Sequence, residues 1–145
     1  RKAMTIARLL EGRSGAVITC DAAMSVRDAV AMLAEKRIGA LPVMQGGTVA
    51  GIFSERDVIY RLHADGPGVL DRPVGEVMPA PVQTVTPETE VLSALAHMTR
   101  RRIRHLPVVQ DGAMVGFVSI GDLVKYRIDR IESEAEAMRS YIQMA

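Results

Sequence analysis

The order of hydrophobic and polar residues predicts short helices that alternate with pairs of strands. From Ser25 to Lys36, apolar residues recur at every third or fourth position, which is the spacing of a helix with one buried face. Ile38 to Met44 and Thr48 to Phe53 are apolar runs of strand length, and the Gly46-Gly47 pair between them favours a tight hairpin. The same criteria predict a helix from Thr5 to Glu11, a strand from Ala16 to Thr19 and a helix from Ser54 to about Ala64.

The second half of the chain repeats this pattern at an offset of 65 residues. Leu41 to Asp57, LPVMQGGTVAGIFSERD, aligns without a gap with Leu106 to Asp122, LPVVQDGAMVGFVSIGD. A chain that repeats itself once contains two copies of one supersecondary unit. The predicted elements of the second copy are the strand Val82 to Val85, the helix Glu88 to Arg101, the strands Leu106 to Val109 and Ala113 to Val118 joined at Asp111-Gly112, and a helix from Ser119 towards the C-terminus.

Glycine and proline residues separate the two copies. Asp65 to Arg72 contains Gly66, Pro67 and Gly68, which disfavour regular structure, and this stretch is predicted to be a linker. Each copy has too few strands to close a sheet alone, so we expect an α+β fold of two β-α-β-β-α units packed face to face. The predicted divisions are a first unit at 1–66 with a lead-in helix, a linker at 67–78, a second unit at 79–128 and a C-terminal helix at 129–145.

Composition narrows the class of protein. Of the 145 residues, 48% are hydrophobic and 24% are charged, as in globular proteins, and no apolar run approaches the roughly 20 residues that span a membrane. The net charge of +1 supplies no general attraction for polyanions. Cys20 is the only cysteine, which excludes an internal disulfide and favours a cytoplasmic location. Arg1 rather than methionine opens the sequence, so trimming from a longer protein is an open alternative.

No sequence motif predicts catalysis or a metal site. The chain lacks a Gly-x-Ser-x-Gly elbow, a Walker loop and a Gly-x-Gly-x-x-Gly turn. His63, His97 and His105 lack the close spacing of metal ligands. We therefore predict neither an enzyme nor a metalloprotein, and any dinucleotide bound here would be a sensed ligand rather than a hydride carrier.

The motif Gly-x-x-Ser-x-x-Asp ends the hairpin of each copy and allows two interpretations. Ser54 with Asp57, and Ser119 with Asp122, fit capping boxes, in which side chains satisfy the free backbone N–H groups of a helix start. A helix start also attracts phosphate, and a carboxylate one turn further can accept hydrogen bonds from both hydroxyls of a ribose. On the motif alone, the cap is the simpler interpretation.

The duplicated strand-helix-strand-strand-helix order, with Leu-Pro-Val, a hairpin and Gly-x-x-Ser-x-x-Asp in each copy, resembles the CBS domain family, which is named after cystathionine β-synthase. The resemblance covers about residues 3 to 128. It implies a tandem CBS pair, or Bateman module, with a pseudo-two-fold axis and two clefts that typically bind adenosine-containing ligands. For this chain it implies a regulatory sensor of adenine nucleotides, with AMP as the leading ligand and NAD(H), ADP, ATP or S-adenosylmethionine as alternatives.

The resemblance also implies which residues form each cleft. In this family the Asp of the motif holds the ribose, the Ser faces the phosphates, and the other unit supplies the base pocket. Arg104 and His105 stand where the first copy has Gly39 and Ala40, so the two clefts are predicted to differ, with both cationic side chains directed towards phosphate. The implied sites are Ser54, Arg56 and Asp57 with Thr86, Val91, Ile103, Arg104 and His105 in the first cleft, and Ser119 and Asp122 with Asp21, Val26, Ile38, Gly39 and Ala40 in the second.

Two further features leave alternatives open. The basic cluster from Arg100 to His105 could face nucleic acid, but two Phe, three Tyr and no Trp offer few stacking platforms, so we expect no such partner. From Lys125 to Ala145, apolar residues at spacings of three and four predict either a helix packed on its own unit or a short coiled coil with a second chain. Because Bateman modules commonly pair into discs of four units, the resemblance implies a homodimer in either case, with an unidentified regulated partner. The competing function is a ligand-independent structural or dimerisation module.

Overall fold

The computed structural model describes residues 4–13 and 15–144. These residues form six α-helices, five strands and one 3-10 helix, and the elements follow the predicted order except that the strand predicted at Val82 to Val85 does not form. The elements are α1 (Ile6–Glu11), β1 (Cys20–Asp21), α2 (Val26–Lys36), β2 (Ala40–Gln45), β3 (Thr48–Ser54), α3 (Glu55–Asp65), the 3-10 helix (Pro67–Asp71), α4 (Val74–Val77), α5 (Val91–Arg101), β4 (His105–Gln110), β5 (Ala113–Ser119) and α6 (Ile120–Met144).

Each half of the chain forms one small sheet around an antiparallel hairpin. β2 pairs with β3 and β1 joins β2 in parallel, whereas the second sheet contains β4 and β5. A single parallel bridge between Val85 and Val108 stands where Cys20 pairs with Val43 in the first half. Pairing therefore begins just after the strand predicted at Ala16 to Thr19, and in the second half it is reduced to the last residue of the predicted strand.

Both hairpins turn through left-handed residues, as predicted. The φ angles are 59° at Gly46 and 83° at Gly47, and 53° at Asp111 and 81° at Gly112. Two consecutive positive φ angles are typical of the type I′ turn, whose twist matches that of the flanking strands. The Gly-Gly and Asp-Gly pairs are thus confirmed as the turns of the two hairpins.

The two hydrophobic cores exchange their leading helices. Ile6 and Leu9 of α1 lie in the core of the second half, although α1 precedes the first half in sequence. Val74 and Val77 of α4 lie in the core of the first half, although α4 precedes the second. The prediction that residues 1–66 form one unit with their own lead-in helix is corrected accordingly, because α1 buries its apolar side chains against the other half.

The glycine of the repeated motif makes room for this exchange. A Cβ atom on Gly116 would lie 2.8 Å from a δ carbon of Leu10, at the α1 surface. A Cβ atom on Gly51, the equivalent residue, would lie 2.5 Å from Sδ of Met78, which follows α4. Hydrogen at these two positions allows each leading helix to approach the hairpin of the opposite half.

The predicted linker also contributes to a core. Pro67–Asp71 forms the 3-10 helix, and its Val69 is 2% exposed within the core of the first half. The backbone N–H of Val26 donates to the carbonyl oxygen of Arg72 at 2.9 Å, which fixes the end of this segment to α2. Glycine and proline do break the longer helices here, but Val69 is buried in the core and Leu70 packs against it, partly buried.

Among the described residues, no helix combines the length and the apolar character that crossing a membrane requires.

Candidate functional site

Both repeated Ser-x-x-Asp motifs cap helices. The backbone N–H of Ser54 donates to Oδ2 of Asp57 at 2.8 Å, and the backbone N–H of Asp57 donates to Oγ of Ser54 at 3.3 Å. The same two hydrogen bonds join Ser119 and Asp122, at 2.8 and 3.0 Å. The capping interpretation is therefore confirmed at the starts of α3 and α6, and it gives each acid a defined position at a helix N-terminus.

The start of α3 opens into a cavity that we call the first cleft. Its volume is about 600 Å³, and it lies between residues of both repeats. Six of the predicted residues line it: Ser54, Arg56, Asp57, Ile103, Arg104 and His105. Residues that the sequence did not indicate for this cleft complete the wall: Gly39, Ile52, Glu55, Ile59, Tyr60, Pro79, Pro81, Val82, Gln83 and Arg102.

The start of α6 faces the second cleft, a cavity of about 390 Å³. Five of the predicted residues line it: Ile38, Gly39, Ala40, Ser119 and Asp122. The remaining described lining residues are Arg13, Gly15, Ala16, Val17, Ile18, His105 and Phe117. Most of these positions reproduce the first cleft at the 65-residue offset, as the repeat requires.

Four predicted residues do not reach the clefts. Val26 and Val91 are 1% and 0% exposed, and they lie in the two hydrophobic cores at the starts of α2 and α5. Asp21 accepts a hydrogen bond from the backbone N–H of Ala23 at 2.8 Å, and Thr86 forms a local turn with Thr89. All four are corrections to the predicted sites, because their side chains complete local turns or cores instead.

The segments that precede the two sheets line the clefts instead of these four residues. Val17 and Ile18 line the second cleft, and Val82 and Gln83, which occupy the same positions of the repeat, line the first. Neither segment forms a strand. The 65-residue offset pairs these residues and is the one signal in the sequence that could have identified them.

Arg13 distinguishes the second cleft. Its Nη2 atom lies 2.7 Å from Oδ2 of Asp122, and its Nη1 donates to the carbonyl oxygen of Phe117 at 2.9 Å. Burial alone would raise the pKa of Asp122, but hydrogen bonds from Ser119 and Arg13, together with the charge of Arg13, hold that pKa below its usual value. Met78 occupies the position of Arg13 in the repeat, and among the described residues no cation pairs with Asp57.

Positive charge is concentrated in the first cleft. Arg56, Arg102 and Arg104 line it, against the two acids Glu55 and Asp57. Arg102 ends α5 in the left-handed conformation with φ of 55°, which is uncommon for a residue with a side chain and places this arginine at the cavity wall. The first cleft therefore combines an acid at a helix start with several guanidinium groups.

His105 forms part of the wall between the two clefts. Its ring stacks on Phe117 with centroids 5.4 Å apart and an interplanar angle of 14°. Burial is the largest influence on the pKa of His105 and lowers it. Arg104 also lowers this pKa, and Asp122 and Glu55 only partly oppose the shift. His105 lines both cavities.

Two α+β repeats in tandem thus enclose two clefts. The family model for the CBS domain matches residues 14–64 and 74–129. The chain belongs to the CBS domain family, and it contains two CBS domains in tandem.

Relatives and solved structures agree with this assignment. The chain is 38% identical over 134 residues to a mitochondrial CBS domain-containing protein of Arabidopsis thaliana, covering 89% of this chain and 65% of that protein. It is 31% identical to the CBS domain-containing protein YhcV of Bacillus subtilis, covering 74% of this chain and 76% of YhcV. The Arabidopsis protein thus extends well beyond the length that this chain matches.

Solved structures share the same arrangement. A CBS-domain containing protein of Agrobacterium tumefaciens superposes with a TM-score of 0.80 at 32% identity, covering 86% of this chain and 94% of that one. A CBS domain pair crystallised with 5′-methylthioadenosine and S-adenosyl-L-methionine superposes with a TM-score of 0.76, covering 89% of this chain and 99% of that one. Its identity to this chain is 22%, so that likeness concerns the fold alone.

Proposed function

We propose that this chain is a regulatory protein that binds an adenine nucleotide between its two CBS domains, with AMP as the leading ligand and NAD(H), ADP or ATP as alternatives. The observation that carries the proposal is the composition of the first cleft, where an acid at a helix start, guanidinium groups and apolar side chains from both repeats meet. Ribose, phosphate and adenine require these three kinds of group. The proposed role is sensing rather than catalysis.

Asp57 is the proposed ribose ligand. Its capping hydrogen bonds engage Oδ2 with the backbone N–H and the hydroxyl of Ser54, at 2.8 and 2.9 Å. An ionised carboxylate offers about four lone-pair sites on two oxygens, so a cap does not exhaust its capacity as an acceptor. The cap and the ribose contact are therefore compatible roles for the same side chain.

The phosphate is proposed to lie towards Arg102 and Arg104. Guanidinium groups bind phosphate through paired, charge-assisted hydrogen bonds, and a helix start adds partial positive charge. The start of α3 and both arginines line the same cavity. Ile52, Val82 and Ile103 supply apolar surface on which the adenine ring can rest.

The second cleft is proposed to bind ligand more weakly. Its acid, Asp122, already pairs with Arg13 at 2.7 Å, so a ribose must compete with a guanidinium group for the same carboxylate. The second cavity is also smaller, at about 390 Å³. We therefore propose that the first ligand occupies the first cleft.

Family membership supports a ligand of this class. The CBS domain pair crystallised with 5′-methylthioadenosine and S-adenosyl-L-methionine shares this fold, and both of its ligands contain adenosine. We further propose that the chain acts as a homodimer in the cytoplasm, without nucleic acid or membrane as a partner, and that a regulated protein responds to the bound state. The competing proposal is a ligand-independent dimerisation module in which the two Ser-x-x-Asp motifs act only as caps.

Calorimetric titration with AMP and NADH tests the proposal on the wild-type chain and on Asp57→Ala and Asp122→Ala. Loss of charge-assisted hydrogen bonds to a ribose should weaken binding by about tenfold to a thousandfold in Asp57→Ala. Each substitution also removes a capping box, which costs about 1 kcal/mol of stability. Asp122→Ala is thus a matched control for the lost cap, and we expect it to retain tight binding in the first cleft.

Melting curves recorded with and without nucleotide provide an independent check, because a ligand stabilises the folded chain by an amount that grows with the logarithm of its excess over Kd. If the wild-type chain binds neither nucleotide and both variants merely melt earlier, the acids are caps alone and the dimerisation module is the better description.

A further inference from the structure

The C-terminal half of α6 carries an apolar stripe that the described part of the chain leaves uncovered. The stripe consists of Ile128, Ile131, Ala135, Met138 and Ile142, and its four large side chains are between 47% and 64% exposed. Every residue from 131 to 144 is exposed, so about 20 Å of helix extends without packing on its own domains. A helix of this length is marginal in water by itself, which indicates that the stripe has a partner.

The stripe lies on a different side of α6 from the residues that pack on the second core. Leu123 is fully buried there and Tyr126 packs beside it. At about 100° per residue, the centre of the stripe lies roughly 130° around the helix from the mean direction of these two side chains. The stripe can therefore contact a partner while the start of α6 stays in its own core.

We propose that a second copy of this chain covers the stripe in a parallel two-stranded coiled coil. The stripe has spacings of three, four, three and four residues, the heptad pattern in which one helix packs its apolar positions into those of another. Ile128, Ala135 and Ile142 occupy the a positions, and Ile131 and Met138 occupy the d positions.

The flanking charges favour the parallel orientation. In a parallel pair, each g residue lies beside the e residue of the next heptad of the partner helix. Arg127 of one copy then faces Glu132 of the other, and Glu134 faces Arg139. By symmetry, four pairs of opposite charge flank the apolar seam.

The antiparallel alternative that covers the whole stripe is disfavoured. Its centre lies near Ala135, where Glu132 of each copy meets Glu132 of the other and Glu134 meets Glu134. Like charges at such positions oppose association. An antiparallel register shifted by half a heptad towards the C-terminus separates the like charges, but it places Ile128 opposite the end of the partner helix near Met144 and so covers less of the stripe.

Cysteine cross-linking distinguishes the orientations. Met138→Cys, in a Cys20→Ser background that removes the native thiol, should form a disulfide-linked dimer under mild oxidation, because parallel helices bring the two d positions together. Ser140→Cys, on the face of α6 opposite the stripe, is the matched control and should stay monomeric on a denaturing gel. The Met138→Cys and Ile128→Cys chains are also mixed and oxidised together. If a disulfide joins one chain of each kind and no Met138→Cys homodimer forms, the helices are antiparallel and the proposal is wrong.

Sedimentation equilibrium of the full chain without nucleotide measures the association itself. Ile131→Asp should weaken dimerisation at least tenfold, whereas Ser133→Asp, which adds the same charge on the outer face, should not. Arg127→Glu and Glu132→Arg should each weaken the dimer, and the double variant should restore it. A wild-type chain that stays monomeric, or an Ile131→Asp variant that dimerises normally, would refute the coiled coil without bearing on the nucleotide proposal, which uses separate residues.

Discussion

At the scale of single residues, Arg13 distinguishes the second cleft from the first, whereas His105 lines both. The repeat supplies both with the same Ser-x-x-Asp cap, yet only Asp122 has a guanidinium group on its carboxylate. Because the remaining cap geometry is shared, single substitutions can separate the contribution of each residue.

Arg13→Ala should make the second cleft available to ligand. The substitution removes the cation that pairs with Asp122, and we expect calorimetric stoichiometry to rise from one nucleotide to two per chain. Arg13 and Asp122 are 38% and 37% exposed, so the loss of stability should stay within about 1 kcal/mol. Arg27→Ala, which breaks the exposed pair with Asp71, is the control and should leave stoichiometry at one. Unchanged stoichiometry in Arg13→Ala would show that the ion pair does not limit binding.

His105 should make the fold less stable in mild acid. Its pKa lies below the unfolded value of 6.5, because burial disfavours the imidazolium. The unfolded chain therefore takes up a proton first as pH falls below 6.5, and the free energy of unfolding should decrease from there down to the folded pKa. Denaturant unfolding between pH 7.5 and about 5 should show a smaller decrease for His105→Gln than for the wild type. His63→Gln at an exposed position is the control, and equal pH dependence in all three chains would contradict this assignment.

At the scale of secondary-structure elements, the exchange of α1 and α4 between the two cores is the main feature. Backbone hydrogen bonds hold both helices in place: the N–H of Ile6 donates to Thr89 at 2.9 Å, and the N–H of Val74 donates to Met24 at 2.8 Å. Each of these helices thus completes the core of the opposite half, where a glycine of the repeated motif leaves room for it.

Gly116→Ala should be destabilising because its Cβ would overlap Leu10. We expect a cost of about 1 to 3 kcal/mol, the usual range for overpacking, in urea unfolding. Leu10→Ala removes the obstructing atoms, so the double variant should be more stable than the sum of the two single changes predicts. Gly68→Ala is the control, since open space surrounds that position and its effect should stay within about 0.5 kcal/mol. Strict additivity of Gly116→Ala and Leu10→Ala would rule out the contact.

At the scale of the whole molecule, the crossed helices and the shared cleft wall make the two repeats interdependent. Neither core is completed by its own half, and each cleft takes residues from both. α6 extends this connection, because one helix carries Asp122 at its start and the apolar stripe towards its end. Ligand in the second cleft would therefore contact the element through which we propose that two copies associate.

The sequence by itself determined the features that depend on neighbouring residues. Helical spacing, the Gly-Gly and Asp-Gly turns, the capping boxes and the 65-residue repeat each rest on interactions within a few positions, or on direct comparison of the two copies. Together they predicted the class of fold and most of the elements, and the resemblance to the CBS family that these features carry implied eleven of the residues that line the two clefts.

Only the tertiary structure decided which surfaces meet. The helix from Ile6 to Glu11 gives no local sign that it packs on the second half, and Arg13 contacts Phe117 from 104 positions away in sequence. The predictions of Val26 and Val91 as cleft residues failed for the same reason, because an apolar residue at a helix start suits a core and a base pocket equally well. The local sequence pattern indicates which side chains are suited to burial. The packing of segments that are distant in sequence determines where each of them is buried.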